Sequence, residues 1–162
     1  MGLFNGKIEA NGETLMGLWR KAARYPGGKV IFSKMAGRMA PYTGTIGAVV
    51  EVLEPGYARL RMSDRKAVRN HLKSIHAIAL TNFVEETTGM AMVSQFPSGI
   101  RGIVTHIEVE FKKKARGLIH AECRAPEIQP DSSQTYVVET NVTNADGEIV
   151  ATGRATWLVG PA

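Results

Sequence analysis

The stretch from Ala77 to Val93 constrains this chain more than any other. Ile78, Ala79, Leu80, Phe83, Val84, Met90, Ala91, Met92 and Val93 put apolar side chains on most sides of a helix, leaving no broad face for water. Such a helix has to be enclosed, either by a sheet that wraps it or by a second copy that covers what the sheet leaves open. An oligomer is therefore expected. The segments on either side supply the sheet, because their periodicity is two.

Ile46, Ala48, Val50 and Val52 alternate along one strand, and Glu54-Pro55-Gly56 turns the chain. Ala58, Leu60 and Met62 then face inward, opposite Tyr57, Arg59 and Arg61. After the helix come Ile103, Thr105, Ile107, Val109 and Phe111, then Leu118 to Ala125, then Tyr136 to Thr143. Asp146-Gly147 makes a second hairpin turn into Ile149, Ala151, Gly153, Ala155 and Trp157. Two strands, one long helix and four strands predict an α+β domain with one antiparallel sheet packed on one helix. A six-stranded sheet has two edges that must be paired or blunted, which again favours an oligomer.

The front end reads differently. Asn11 or Thr14 can cap a helix running to Arg24, with Leu15, Leu18, Trp19 and Ala22 at helical spacing, and Pro26-Gly27-Gly28 ends it. Val30 to Met39 forms a second helix before Pro41, with Ile31, Met35 and Met39 expected as core filling. Residues 1–43 are thus expected as an N-terminal helical extension, and 44–162 as the domain proper.

With 162 residues and 44% hydrophobic content the chain suits a single domain with a real core. A net charge of +5 favours anionic partners. No aromatic residues interleave with the basic ones, so nucleic acid is not expected. Met1 to Lys7 lacks the apolar core of a signal peptide, Gly6 sits where a myristoylation motif needs Ser or Thr, and no run is long enough to span a membrane. A cytoplasmic protein is the expectation. Cys123 is alone, shares a strand face with Ile119 and Ala121, and reads as a buried small hydrophobe.

Polar groups gather where the central helix begins, in Asn70-His71-Leu72-Lys73-Ser74-Ile75-His76, and a Glu85-Glu86 pair lies within the helix. Carboxylates on so apolar a helix are costly unless they are used or paired. Ser74 as helix cap and Asn70 as turn cap is one reading; chemistry is the other. His71, His76 and the glutamates show no familiar metal-ligand spacing, and no cofactor is expected.

Asn70, then His76 at the helix mouth, then Glu85 nine positions on and Thr88-Gly89, resemble the hotdog-fold thioesterases of the phenylacetyl-CoA thioesterase (PaaI-like) type. The segments Val104 to Phe111, Ala115-Arg116-Gly117 and Asp146 to Gly153 are similar to that family's strand pattern. The resemblance covers about residues 44 to 159. It implies a sheet wrapped around a long central helix, and hydrolysis of an acyl-CoA thioester by a homodimer or a dimer of dimers. Two positions depart from the family pattern: Ala77-Ile78 stands where many relatives have Gly-Gly, and Lys73 where glycine is common. A noncatalytic module that binds acyl-CoA or acyl chains is the competing expectation.

Nine residues of helix would place His76 and Glu85 on opposite sides, roughly 13 Å apart along the axis, so within one chain they cannot pair. One subunit must supply the helix mouth and its partner the acid, as the resemblance implies. Backbone N–H groups near His76 and Ala77 would then stabilise the thioester oxyanion. Glu85, with Glu86 as the alternative, would act as base or nucleophile. Asn70 would orient water or the carbonyl, His76 would hold the helix mouth or assist the leaving group, and Thr88 would hydrogen-bond water or the carboxylate. Lys112, Lys113, Lys114 and Arg116 would hold coenzyme A phosphates, with Arg59, Arg61, Arg65, Lys66 and Arg69 steering the anion. Met35, Met39, Phe83, Met90 and Met92 would set pocket depth.

Overall fold

A computed structural model describes residues 11–162; the amino-terminal Met1 to Lys7 reading lies outside the described residues. The polypeptide runs α1 (Gly12–Ala22), α2 (Gly28–Met39), a 3₁₀ turn (Thr43–Ile46), β1 (Val49–Glu54), β2 (Tyr57–Ser63), α3 (Ala77–Val93), β3 (Ile100–Phe111), β4 (Leu118–Arg124), β5 (Gln134–Thr143) and β6 (Ile149–Pro161), with a further short 3₁₀ turn at Lys66–Val68. The six strands form one sheet in the order β1-β2-β4-β5-β6-β3, with every pairing antiparallel. Helix α3 packs against all six strands. This is the hotdog arrangement, and α3 has the limits expected from its apolar run.

The core lies between α3 and the concave face of the sheet. Phe83, Val84, Ala91 and Met92 of the helix meet Leu60, Met62, Ile119, Ala121, Val138, Val142, Ala151 and Ala155, all buried. Alternation holds in β2 and β4, where Ala58, Leu60 and Met62 and then Ile119, Ala121 and Cys123 point inward. Burial pushes the Cys123 thiol up to about 12, so it packs as an inert hydrophobe.

Elsewhere the alternation slips. Ile46 belongs to the first 3₁₀ turn, and a bulge between Val50 and Val52 sends Leu53 inward in place of Val52. A second bulge, between Val104 and His106, separates the outward Ile103 and Thr105 from Ile107 and Val109, which lean toward the core, and Phe111 is exposed at the strand's end. Each bulge adds one residue to one strand and so reverses which face the following residues occupy.

At the front end, Asn11 caps α1 by accepting the Thr14 N–H at 2.9 Å. The buried Trp19 of α1 meets Phe32 of α2 edge to face at 5.2 Å. The expectation that α2's apolar stripe fills the core fails: Ile31, Met35 and Met39 are 60%, 40% and 51% exposed, and α2 turns Phe32 and Ser33 inward instead. That orientation serves the sheet edge. Ser33 Oγ accepts the Val50 N–H at 2.9 Å, and Lys29 Nζ donates to the Glu51 carbonyl at 2.6 Å. Helix α2 thus blunts the β1 edge, whereas the other edge, β3, carries no such cover among the described residues.

Candidate functional site

Loop 69–76 builds the mouth of α3. Asn70 Oδ1 accepts the Leu72 N–H at 2.9 Å and both the N–H and hydroxyl of Ser74 at 3.2 Å, while the Asn70 N–H donates to the Ser74 carbonyl at 2.8 Å. The Asn70 carbonyl oxygen is therefore spent on a tight turn. Ser74, one of the two cap candidates, is buried inside that turn, and the helix is capped by His76, whose Nδ1 accepts the Ile78 N–H at 3.0 Å. The His76 N–H itself donates to the Val68 carbonyl at 2.8 Å. Among the described residues the N–H groups left without an acceptor in this first turn are those of Ala77 and Ala79. They carry the partial positive charge of the helix end and suit an oxyanion.

The residue at the departing glycine position, Lys73, adopts φ +53°, the only non-glycine in that region among the described residues. A left-handed conformation costs a side-chain-bearing residue about 1 kcal/mol. Lys73→Gly should raise stability by about 0.5 kcal/mol, less than the full strain because glycine gains freedom in the unfolded chain. A shift of the urea midpoint at constant slope would show it; a loss of stability would mean that the Lys73 side chain contributes more than its backbone costs.

Two shallow grooves run from the mouth along α3. One, of about 200 Å³, is lined by Tyr42, Ile46, Val68, Arg69, His76, Ile78, Ala79 and Asn82 among others. The next, of about 320 Å³, is lined by Tyr42, Thr43, Ile78, Thr81, Asn82, Glu85 and Ile107. They share Tyr42, Ile78 and Asn82, so the helix mouth and Glu85 open onto one stretch of surface, and neither groove holds both His76 and Glu85. Burial raises the pKa of Glu85, opposed by a long 3.5 Å hydrogen bond from Thr43 Oγ1 to its Oε2. Ile78 stands 55% exposed between the grooves.

Glu86 faces elsewhere. It is buried, makes no hydrogen bond among the described residues, and lines a separate cleft beneath α2. Thr88 is fully buried with its hydroxyl donating to the Glu85 carbonyl at 3.0 Å and facing the Trp157 indole N–H at 3.4 Å. The structure thus brings His76 and Glu85 to the grooves, with Ala77 next to His76 as the first residue of α3, and leaves Thr88 in the core.

Of the basic run, Lys112 pairs with Glu110 at 2.9 Å and Lys113 with Glu148 at 2.6 Å. Arg116 donates to the carbonyls of Lys73 and Leu72 at 3.3 and 3.5 Å, and the Ala115 carbonyl accepts the Ile75 N–H at 2.9 Å. That segment therefore buttresses the helix mouth, and Lys114 is its one lysine without an ion-pair partner among the described residues. Arg59 and Arg61 share Glu51, at 3.4 and 3.3 Å.

One antiparallel sheet curled around a single buried helix, with free N–H groups and a half-buried carboxylate along that helix, defines a hotdog-fold protein. Solved structures agree. A structural-genomics target is 29% identical with a TM-score of 0.77, over 91% of this chain and 98% of its own. A Pseudomonas aeruginosa protein described as a probable thioesterase is 26% identical with a TM-score of 0.71, over 85% and 97%. A thioesterase family protein from Silicibacter pomeroyi shares the fold at 19% identity and a TM-score of 0.69, over 80% and 96%. No curated protein matches the chain. The family model described as "Domain of unknown function (DUF4442)" matches residues 28–159, and the chain belongs to that family.

Proposed function

We propose that this protein hydrolyses an acyl-CoA thioester. The observation that carries the reading is Glu85: a carboxylate with its pKa raised by burial, in a groove that adjoins unspent N–H groups at a helix N-terminus. In this reading Glu85 takes a proton from water as the oxygen attacks the thioester carbonyl. The oxyanion of the tetrahedral intermediate is held by the Ala77 N–H, the carbon–sulfur bond then breaks, and the thiolate leaves with a proton. His76 keeps the helix mouth open as its cap, and Asn70 shapes the turn before it. The solved relatives described as thioesterases support the reaction class.

A homodimer joined along β3 completes the site. Among the described residues that edge is uncovered over twelve residues, and its Ile107 lines the Glu85 groove, so a partner strand would bring a second helix mouth toward Glu85. Among the described residues of the front end, α1 and α2 form a helical extension whose α2 closes the opposite edge and leaves β3 for pairing. Lys114 and Arg116 beside the mouth would receive the coenzyme A phosphates.

The second reading, a noncatalytic acyl-CoA-binding module, is favoured by Ile78, which projects into the grooves and whose N–H is already spent on His76. One assay separates the two. Thiol release from short, medium, long and aromatic acyl-CoAs should be measurable for the wild type and fall about 10²–10⁴-fold in Glu85→Gln, with substrate binding retained. No turnover on any substrate, with binding intact, would establish the module.

A further inference from the structure

A cleft larger than either groove, among the described residues, lies away from the helix mouth. It has a volume of about 630 Å³ and lies between α2, the first 3₁₀ turn and the start of β1, within the size range of small-molecule sites. Its walls are apolar or bare: Val30, Pro41, Ala48 and Val49, with the backbones of Gly37, Gly44 and Gly47. Gly37 and Gly44 touch, and a Cβ on Gly44 would lie 2.5 Å from the Gly37 carbonyl oxygen, so glycine is what lets α2 and the 3₁₀ turn meet here.

Two of the five polar side chains of the lining are already committed. Ser33 donates to the Lys29 carbonyl and accepts the Val50 N–H, and Thr45 donates to the Tyr42 carbonyl. Three are not. Lys34 and Arg38 are exposed cations on α2 without an ion-pair or hydrogen-bond partner among the described residues. Glu86 is 6% exposed and has no hydrogen bond among the described residues, and its Oε2 is fully enclosed. A buried polar group without a partner is rare and costly, and this one belongs to a residue that lines the cleft.

We propose that this cleft is a second binding site, separate from the helix mouth, for a linear anionic amphiphile whose anionic group is held by Lys34 and Arg38 and whose carbonyl, farther along an apolar stem, accepts a hydrogen bond from Glu86. The walls suit the stem, and the two cations at one side of the cleft fix its direction. Burial and the neighbouring Glu85 carboxylate push Glu86 up to about 8, so at pH 7 it holds the proton it has to donate. Two sources share this chemistry: a phosphopantetheine arm, with amide carbonyls behind its phosphate, and an oxo fatty acid.

The test is titration calorimetry at pH 7 on the full-length protein with 4′-phosphopantetheine, with a medium-chain oxo fatty acid, and with the fatty acid of equal length that lacks the oxo group. None is a thioester, so the outcome is independent of turnover. One of the first two should bind at least about tenfold more tightly than the plain fatty acid, and which one identifies the source. Lys34→Ala with Arg38→Ala should weaken that binding about tenfold or more. Glu86→Leu should abolish the preference for the carbonyl, while Glu86→Gln, which keeps an N–H donor, should retain it within a few-fold. No binding of either carbonyl probe at millimolar concentration, or binding that the Lys34, Arg38 and Glu86 substitutions leave unchanged, would overturn the proposal. Thermal melts of each variant establish that it is folded.

Discussion

Glu86→Leu should make the protein more stable at pH 8.5 by several kcal/mol and remove much of the loss of stability between about pH 4.5 and pH 8. The physical cause is the cost of burying a charge. Glu86 is pushed up from 4.5 to about 8, first by burial and then by the Glu85 carboxylate. The folded state therefore holds the Glu86 proton across a range in which the unfolded chain releases it. A group with its folded pKa raised stabilises fully below the unfolded value, and that contribution is lost as pH rises through the folded value. Below about pH 4.5 Glu86 is neutral in both states and costs only its missing hydrogen bond. Above that, the unfolded chain gains a solvated carboxylate that the folded chain does not, and the penalty levels off near pH 8. The span corresponds to about 5 kcal/mol at most, on the order of 3 kcal/mol of it already present at pH 7. Leucine has no charge to desolvate and suits the apolar wall. Urea unfolding of both proteins at pH 5, 7 and 8.5 checks this: the two stabilities should diverge as pH rises. Parallel pH profiles would show that water or a neighbouring group already compensates Glu86 in the folded state.

The second large effect is steric. A Cβ at Gly153 would lie 2.3 Å from Cγ1 and 2.7 Å from Cγ2 of Val84. Val84 is fully buried and branched at Cβ, so it has few rotamers to escape into, and Gly153 lies in β6 paired to both β3 and β5. Gly153→Ala therefore has to push α3 off the sheet, at a cost of about 2–4 kcal/mol, near the upper end for overpacking. Val84→Ala on its own should cost about 2 kcal/mol as a cavity. Together they should cost less than their sum by at least about 1.5 kcal/mol, because alanine at position 84 vacates the space that the new methyl needs. Additive losses in the double variant would show that the clash is relieved elsewhere, by a shift of β6. Since α3 carries both Glu85 and the helix mouth, Gly153→Ala should also disturb the grooves.

Much of this could be read along the chain because short-range rules control it. Limits of α3 follow from the apolar run and from where it stops. The inward set of β2 and β4 follows from strict alternation, and the Asp146-Gly147 turn from its residue types, with Gly147 at φ +79°. Asn70, His76 and Glu85 stood out because polar groups on an apolar background need a reason, and the structure places each at the helix mouth or on the groove beside it.

What failed was whatever depended on a neighbour from far along the chain. Ile31, Met35 and Met39 have the spacing of a buried face, but β1 needed donors and acceptors along its edge, and Ser33 and Lys29 supplied them only if α2 turned that stripe outward. Thr88 sits one turn beyond Glu85 by helix arithmetic, yet the Trp157 indole, sixty-nine residues on, holds it in the core. Lys112 and Lys113 read as free cations until Glu110 and Glu148 are seen beside them.

Glu85 and Glu86 show the division most clearly. Two adjacent glutamates in an apolar helix are chemically equivalent as sequence, and periodicity separates them by only about 100°. By itself the sequence determined that a helix would be enclosed by an antiparallel sheet and that carboxylates on it would be costly. Tertiary structure alone decided that one would reach a half-open groove near the helix mouth and the other a more deeply buried position beside the cleft under α2, because the dielectric around a carboxylate is set by what packs over it, and that packing comes from residues distant in the chain.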